Sequence, residues 1–187
     1  GAGAGNDVFV ARQLVGQHGR VIGLDMTEAM IERANANKAK LGLDNVDFVL
    51  GDIEAMPLPD NSVDVAISNC VLNLVPDKEQ AYRELFRVLR PGGRFAISDI
   101  VLTGDLSEPM RHAAALYAGC VSGALQRNEY LQLIEKAGFT DRRLAKEKRI
   151  NLPDELLLQH LDAAELESFR RSGARIYSIT VCGKKPL

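Results

Sequence analysis

The chain begins with a glycine turn, Gly1-Ala2-Gly3-Ala4-Gly5, that runs directly into an amphipathic stretch. No other feature constrains the fold as much. A glycine turn lets a ligand lie against bare backbone, because a Cβ would block both the tight dihedrals and the close approach. Twenty residues past Gly5, Asp25 closes the apolar run Val21-Ile22-Gly23-Leu24. An acid at the carboxyl end of that strand is placed to accept hydrogen bonds from ribose hydroxyls. Together the two features point to a nucleoside ligand on an alternating α/β sheet.

Spacing narrows the nucleoside. The dinucleotide fingerprint G-x-G-x-x-G, counted from Gly1, requires glycine where this chain has Asn6. The pattern here is G-x-G-x-G, and Asp7 follows in the first helical turn, where it would repel a pyrophosphate drawn to the positive helix end. S-adenosylmethionine carries no phosphate, so the pattern favours it over a nicotinamide dinucleotide. A loop of this kind ordinarily follows a strand, and none precedes Gly1. The expectation is a doubly wound sheet whose central first strand is missing from this sequence. Such a fragment would leave strand edges uncovered and be marginal alone.

Composition excludes several classes. A 187-residue chain that is 46% hydrophobic and 26% charged is long and apolar enough for one soluble domain with a real core. With 23 basic and 25 acidic residues the net charge is -2, which gives no electrostatic footprint for nucleic acid. The cluster Arg142, Arg143, Lys146, Lys148 and Arg149 reads as a solvated strand face. No apolar run approaches ~20 residues, so no membrane span is expected. Cys70, Cys120 and Cys182 are too few and too scattered for a disulfide framework, which implies a reducing, cytoplasmic setting.

Apolar strands alternate with helices along the chain. Residues 6–15 read as a helix with Val8, Ala11, Leu14 and Val15 inward, and 21–25 as a strand. Thr27 caps a helix through Leu41, ended by Gly42, with Ala29, Met30, Ala34 and Leu41 inward. Residues 46–50 form the next strand. Residues 63–68 follow, nearly all apolar and so expected to be buried on both faces. A helix over 77–89 stops at Pro91-Gly92-Gly93, before a strand over 94–98. Beyond Ile100, 107–117 and 128–137 read as helices, and 140–150 and 175–181 as closing antiparallel strands. Between those strands, 153–160 and 162–171 form short helices within a helical insertion over 151–173. The expectation is a single α/β domain over 1–187, with a mostly parallel sheet and helices on both faces.

Over nearly its whole length the chain resembles the class I, Rossmann-like S-adenosylmethionine-dependent methyltransferases. The resemblance rests on the glycine turn, Asp25, Gly51-Asp52-Ile53, and Arg87-Val88-Leu89-Arg90-Pro91-Gly92-Gly93. It implies that Gly1, Gly3 and Gly5 cradle the cofactor and that Asp25 takes the ribose hydroxyls. It further implies Asp52 at the adenine amino group beside the Ile53 backbone, Met26 against the adenine face, and Ser68 and Asn69 bordering the methionine half. A plain turn aspartate at 52 and a core methionine at 26 are the alternatives. Pro91-Gly92-Gly93 is a diagnostic helix stop, not a ligand.

A narrower resemblance lies in residues 23–30, 68–77, 117–120 and 176–181, which look like the arsenite methyltransferase family. It implies arsenic detoxification, with Cys70 and Cys120 binding trivalent arsenic, supplied as arsenite or its thiol conjugates. As(III) is thiophilic, and thiolates are the soft protein ligands. Arsenic held by thiolates keeps a lone pair that can attack a sulfonium methyl in line, so no protein general base is required. That fits the absence of an obvious His–acid pair. The resemblance also implies a further cysteine upstream of the glycine turn, absent here, and recycling through a reductant such as glutathione or thioredoxin.

From spacing alone, a free cysteine more often acts as a small buried hydrophobe, and no C-x-x-C joins these two. Cys182 reads as core or edge filler. His18, His112 and His160 read as solitary, Tyr117 as pocket wall or core, and Glu54 as solvated, while Asp99, closing a strand, reads as a loop cap or else as facing the active site. Two other readings stay open. One is a methyltransferase of the same fold acting on a small organic acceptor such as a quinone precursor or sterol. The other is a non-catalytic module binding a soft metal through its thiols.

Overall fold

The structure is a computed structural model that describes residues 1–117 and 119–187, without the side chains of Tyr117 and Leu156. It divides into two compact units, Gly1–Pro59 and Asp60–Leu187.

In the first unit, helix α1 (Asn6–Val15) and strand β1 (Val21–Asp25) are followed by α2 (Glu28–Leu41) and β2 (Val46–Leu50). The strands pair in parallel, from Val21 against Val46 to Asp25 against Leu50. Phe9 of α1 meets Phe48 of β2 edge to face at 5.7 Å. Gly5 caps α1 in the left-handed region (φ 98°), and a Cβ there would lie 2.7 Å from the Phe48 ring and 2.8 Å from Phe9. Only glycine satisfies both the dihedral and the packing. The inward helix faces are narrower than the periodicity suggests. Val8 and Ala34 are buried, whereas Leu14 is 83% exposed and Val15, Ala29 and Leu41 also face solvent. Two strands about 5 Å apart offer each helix only a narrow strip to cover.

The second unit holds β3 (Val63–Asn69), α3 (Lys78–Val88), β4 (Leu89–Thr103), α4 (Glu108–Tyr117) and α5 (Arg127–Lys136). It continues through β5 (Thr140–Ile150), α6 (Asp154–Leu157), α7 (Ala163–Ser172) and β6 (Arg175–Lys184). The sheet order is β3-β4-β6-β5, with β3 parallel to β4 and β6 antiparallel to both its neighbours. Phe139 packs edge to face on Phe86 of α3 at 5.1 Å and on Phe95 of β4 at 4.7 Å, joining helix to sheet. Asp77 caps α3 by accepting from the Gln80 N–H at 2.9 Å. Asp162 and Glu165 form a reciprocal capping box on α7.

Four expectations change here. β4 starts at Leu89 and carries Pro91-Gly92-Gly93 within it, as a bulge. Leu89 faces Val63 and Arg94 faces Val65, and the Gly92 N–H donates to Lys185 O. β4 also continues to Thr103, so Asp99 lies inside a strand and caps no loop. β3 is not buried on both faces: Val65 is 62% and Ile67 56% exposed. Among the described residues it pairs only with β4, and a parallel strand is covered on both faces only where helices lie on both. In the insertion, α6 is a single turn and gives way to an irregular turn over 158–160. The basic strand β5 is exposed along nearly its whole length, as expected, with Arg142 paired to Glu135 and Arg127 reaching Glu147.

Among the described residues Phe139 is the single ring shared by two aromatic contacts. Phe139→Ala is expected to lower the unfolding free energy by about 3–5 kcal/mol, measured by urea unfolding. A loss under 1 kcal/mol would mean that the α3–sheet contact is not what holds this face.

Candidate functional site

In the first unit the glycine turn folds back on the end of β1. The Ala2 N–H donates to Leu24 O at 2.8 Å, and the Gly3 N–H donates to Asp25 Oδ2 at 2.8 Å. The other oxygen, Oδ1, accepts from the Thr27 N–H at 2.9 Å, so Asp25 locks the turn on one side and the α2 entrance on the other. Burial works against its charge, yet the Gly3 and Thr27 N–H groups hold its carboxyl below the usual range. Each carboxylate oxygen retains a second lone pair, which leaves acceptor capacity for a ribose hydroxyl. Gly3 sits at φ 55° with open space where a Cβ would point. Met26 is 74% exposed, which removes the core reading and leaves a thioether free to cover a flat aromatic surface. Asp52 is exposed, and its Oδ1 accepts from the Glu54 N–H at 2.9 Å in a short turn that carries Ile53. Asp52 Oδ2 makes no such bond among the described residues and suits an amino group. These residues fit the adenosine half of S-adenosylmethionine.

In the second unit Ser68 and Asn69 end β3, half-buried and exposed respectively, in register with Ile97 and Ser98 of β4. Cys70 follows in the left-handed region at φ 58°. The other described non-glycine residues with positive φ are Asn61 and Asp141, types that tolerate it. For cysteine the conformation costs about 1–2 kcal/mol. It persists because the Cys70 N–H donates to Ser98 O at 2.8 Å and the chain then winds into a 3₁₀ turn over Leu72–Leu74.

Cys120 lies in a second 3₁₀ turn, Gly119–Val121, after α4. The structure brings it to Cys70, fifty positions away in sequence. Its thiol donates to the Cys70 carbonyl oxygen at 3.6 Å, which places it close enough to influence the Cys70 thiol. Gly123 makes this approach possible. A Cβ there would fall 1.8 Å from the Asn73 carbonyl oxygen, so the backbone after Cys120 rests directly on the backbone after Cys70. Both cysteines are half-buried. Burial, then the Cys120 contact and the charge of Asp99, push the Cys70 thiol up to about 11, so it is neutral at pH 7.

Asp99, whose charge is felt at Cys70, belongs to a buried polar cluster that no local motif announces. Tyr130 donates to Asp99 Oδ2 at 2.7 Å, and the Tyr130 and Tyr82 rings meet edge to face at 6.0 Å. Asn73 Nδ2 donates to Ile100 O at 3.0 Å. Burial outweighs the Tyr130 hydrogen bond and pushes the Asp99 carboxyl up to about 6. Burial also raises both tyrosines far above their ordinary range, so they remain donors. The only sequence hint of this cluster is polar residues standing inside apolar stretches.

The remaining candidates resolve simply. His112 and His160 are not solitary: their rings meet edge to face at 6.1 Å. Cys182 sits in β6, half-buried and facing Ala96 and Arg143 in register, away from any ligand set. The side chain of Tyr117 lies outside the described residues. Among the described residues no cluster of three or more His, Cys, Asp or Glu could hold a metal ion. None of their helices is long and apolar enough to cross a membrane.

A family model described as a methyltransferase domain matches residues 1–138. The chain belongs to the methyltransferase-domain family. Its fold is the class I, Rossmann-like methyltransferase fold. This methyltransferase chain is 47% identical over 139 residues to an arsenite methyltransferase of Halobacterium salinarum, covering 74% of this chain and 36% of that one. It is 39% identical over 175 residues to an arsenite methyltransferase of Aquipseudomonas alcaligenes, covering 90% of this chain and 51% of the relative. A crystal structure of an arsenic(III) S-adenosylmethionine methyltransferase from Chlamydomonas reinhardtii aligns with a TM-score of 0.81 at 39% identity, covering 100% of this chain and 62% of that one. The methyltransferase chain thus spans about a third to a half of the length of these two curated relatives.

Two outcomes follow from the geometry. Gly123→Ala is expected to part the two turns, abolishing a Cys70–Cys120 crosslink by a short dithiol-directed reagent while the fold persists by circular dichroism. Undiminished crosslinking would show that the close backbone approach is dispensable. The raised carboxyl of Asp99 contributes stability that is fully present below about pH 4 and is lost as pH rises through about 6. Relative to Asp99→Asn, the wild type should therefore lose up to about 3 kcal/mol across that window. Parallel stability curves for the two proteins would refute the shift.

Proposed function

We propose that this chain is the cofactor-binding and arsenic-holding part of an arsenite methyltransferase, moving a methyl group from S-adenosylmethionine to thiolate-bound trivalent arsenic. The observation that carries the reading is the convergence of Cys70 and Cys120 on a strained backbone at the end of a parallel strand, where open α/β sheets bind ligands. A thiol pair in which Cys70 is neutral suits arsenite. Each S–H bond breaks as an S–As bond forms, and each hydroxide displaced from As(OH)₃ leaves as water with the thiol proton. Two thiols leave one position on arsenic for a hydroxide or an exogenous thiol, consistent with a pair and no third protein ligand among the described residues.

S-adenosylmethionine supplies a sulfonium methyl electrophilic enough to meet the arsenic lone pair. The chain's own residues bind and orient. Gly1, Gly3 and Gly5 let the cofactor lie on backbone, Asp25 takes the ribose hydroxyls, and Asp52 and the Ile53 backbone take the adenine edge. Met26 covers the adenine face, and Ser68 and Asn69 border the methionine half. Cys70 and Cys120 fix the arsenic so that its lone pair is directed, which makes the catalysis chiefly one of positioning. The 1–138 family match runs across the boundary between the two units, which supports reading 1–187 as one functional domain. A reductant such as glutathione or thioredoxin and a cytoplasmic setting complete the proposal, consistent with three free cysteines. An organic acceptor would give the paired thiols no task.

The test is arsenite-dependent consumption of S-adenosylmethionine by the intact protein with added thiol. Cys70→Ser and Cys120→Ser should each cut turnover by at least about 100-fold while cofactor binding by calorimetry is unchanged. Full turnover in either variant would remove the arsenic assignment.

A further inference from the structure

The insertion between β5 and β6 forms a cavity that takes no part in the sites described above. It lies where the chain leaves β5 at Ile150 and returns to β6 at Arg175, is open to solvent, and has a volume of about 120 Å³. Its apolar lining is continuous with the core. Leu157, Leu166 and Ile176 are buried members of one hydrophobic cluster, and Ile150, Leu152 and Phe169 pack against it, half-buried.

The polar lining is one-sided in charge. Arg149, Arg170 and Arg175 line the cavity against a single acid, Asp154. Arg170 of α7 donates through Nη2 to Asp154 Oδ2 of α6, which ties the two helices and holds a guanidinium at the cavity. Arg175 uses one donor on the Ala174 carbonyl at 2.6 Å. Among the described residues the Arg149 side chain has no hydrogen-bond or ion-pair partner. A second cavity that shares Phe169 is lined by Asp105 and Glu165 and by no cation. The positive charge is therefore a property of the first cavity and not of the insertion as a whole.

Three guanidinium groups around one small space repel one another, and one carboxylate offsets that only in part. An anion from solvent would complete the balance, and the arginine fork matches the paired oxygens of a carboxylate or phosphate. The apolar walls define the rest of the ligand. A cavity of roughly 150 Å³ lined by Leu, Ile and Phe takes up benzene, so this one has room for a ring or a short branched chain.

We propose that this cavity binds a small amphipathic anion, its carboxylate or phosphate held by Arg149 and Arg170 and its apolar body seated on Leu152, Leu166 and Phe169. The site includes neither Cys70 nor Cys120, and the inference does not rest on the arsenic reading.

The experiment is isothermal titration calorimetry on the intact protein at constant ionic strength. Benzoate and phenyl phosphate are the two probes; benzyl alcohol lacks the charge, and inorganic phosphate lacks the apolar body. At least one probe is expected to bind with a Kd of about 1 mM or tighter, and which one does distinguishes a carboxylate from a phosphate ligand. Both controls should bind at least about 10-fold more weakly. Arg149→Gln should weaken the bound probe by at least about 10-fold, whereas Lys148→Gln, next along β5 but outside the cavity lining, should leave it unchanged. Should Arg149→Gln fail to fold, Arg149→Lys keeps the charge, loses the fork, and must also weaken binding. No binding of either probe, or binding no tighter than that of the controls, overturns the proposal. So does equal weakening by Arg149→Gln and Lys148→Gln, which would mean that the anion merely condenses on the basic strand.

Discussion

The backbone of Gly123 rests on the carbonyl of Asn73 with no room for a side chain, and the chemistry of the second unit depends on that contact. Each partner lies three residues past a cysteine, in or just beyond a 3₁₀ turn. Pressing the two turns together is what makes Cys70 and Cys120 neighbours. The left-handed conformation of Cys70, worth about 1–2 kcal/mol of strain, persists because its N–H is tied to Ser98 and its carbonyl receives the Cys120 thiol. Strain of this kind is carried only where the surroundings over-determine it, here by β4 on one side and the second turn on the other.

Electrostatics gives the pair its chemical character. A nucleophilic cysteine usually owes its reactivity to a nearby cation or a helix N-terminus that lowers its pKa. Cys70 has the opposite environment, with burial, a second thiol and a carboxylate all favouring the neutral form. That would handicap a thiolate nucleophile, yet it suits a ligand whose proton leaves with a hydroxide from the incoming atom. Tyr130 binds the buried Asp99 of β4, and Asn73 ties the first turn to Ile100 of the same strand.

The first unit works by different means. Asp25 spends one lone pair of each oxygen on the turn it follows, receiving Gly3 and Thr27, so the glycine loop and the start of α2 are set by one carboxylate. Any ligand that also engages Asp25 therefore meets a preorganised surface. Gly5 adds a second constraint, since the Phe9–Phe48 pair fills the space a side chain would need. Substitution of either residue should disturb the loop before it disturbs the strand.

Residues 1–5, Asp25 and the strand–helix alternation were legible because they are local: backbone freedom at glycine, side-chain periodicity and turn chemistry act within a few residues. The bounds of α1, β1, β2 and β5 agree with the sequence reading for that reason. Side-chain cover was not legible, as Leu14, Val65 and Ile67 show, because exposure depends on what else packs against the element. Nor was the depth of Asp99, which follows from β4 running on to Thr103 beneath α3 and α5. The sequence by itself determined the fold class, the glycine turn with its acid, and the presence of two thiols in segments like those of arsenite methyltransferases. Only the tertiary structure decided that the Cys120 thiol reaches the Cys70 carbonyl and that burial keeps the Cys70 thiol neutral. Proximity between residues fifty apart, and the loss of water around them, arise from packing rather than from any local pattern.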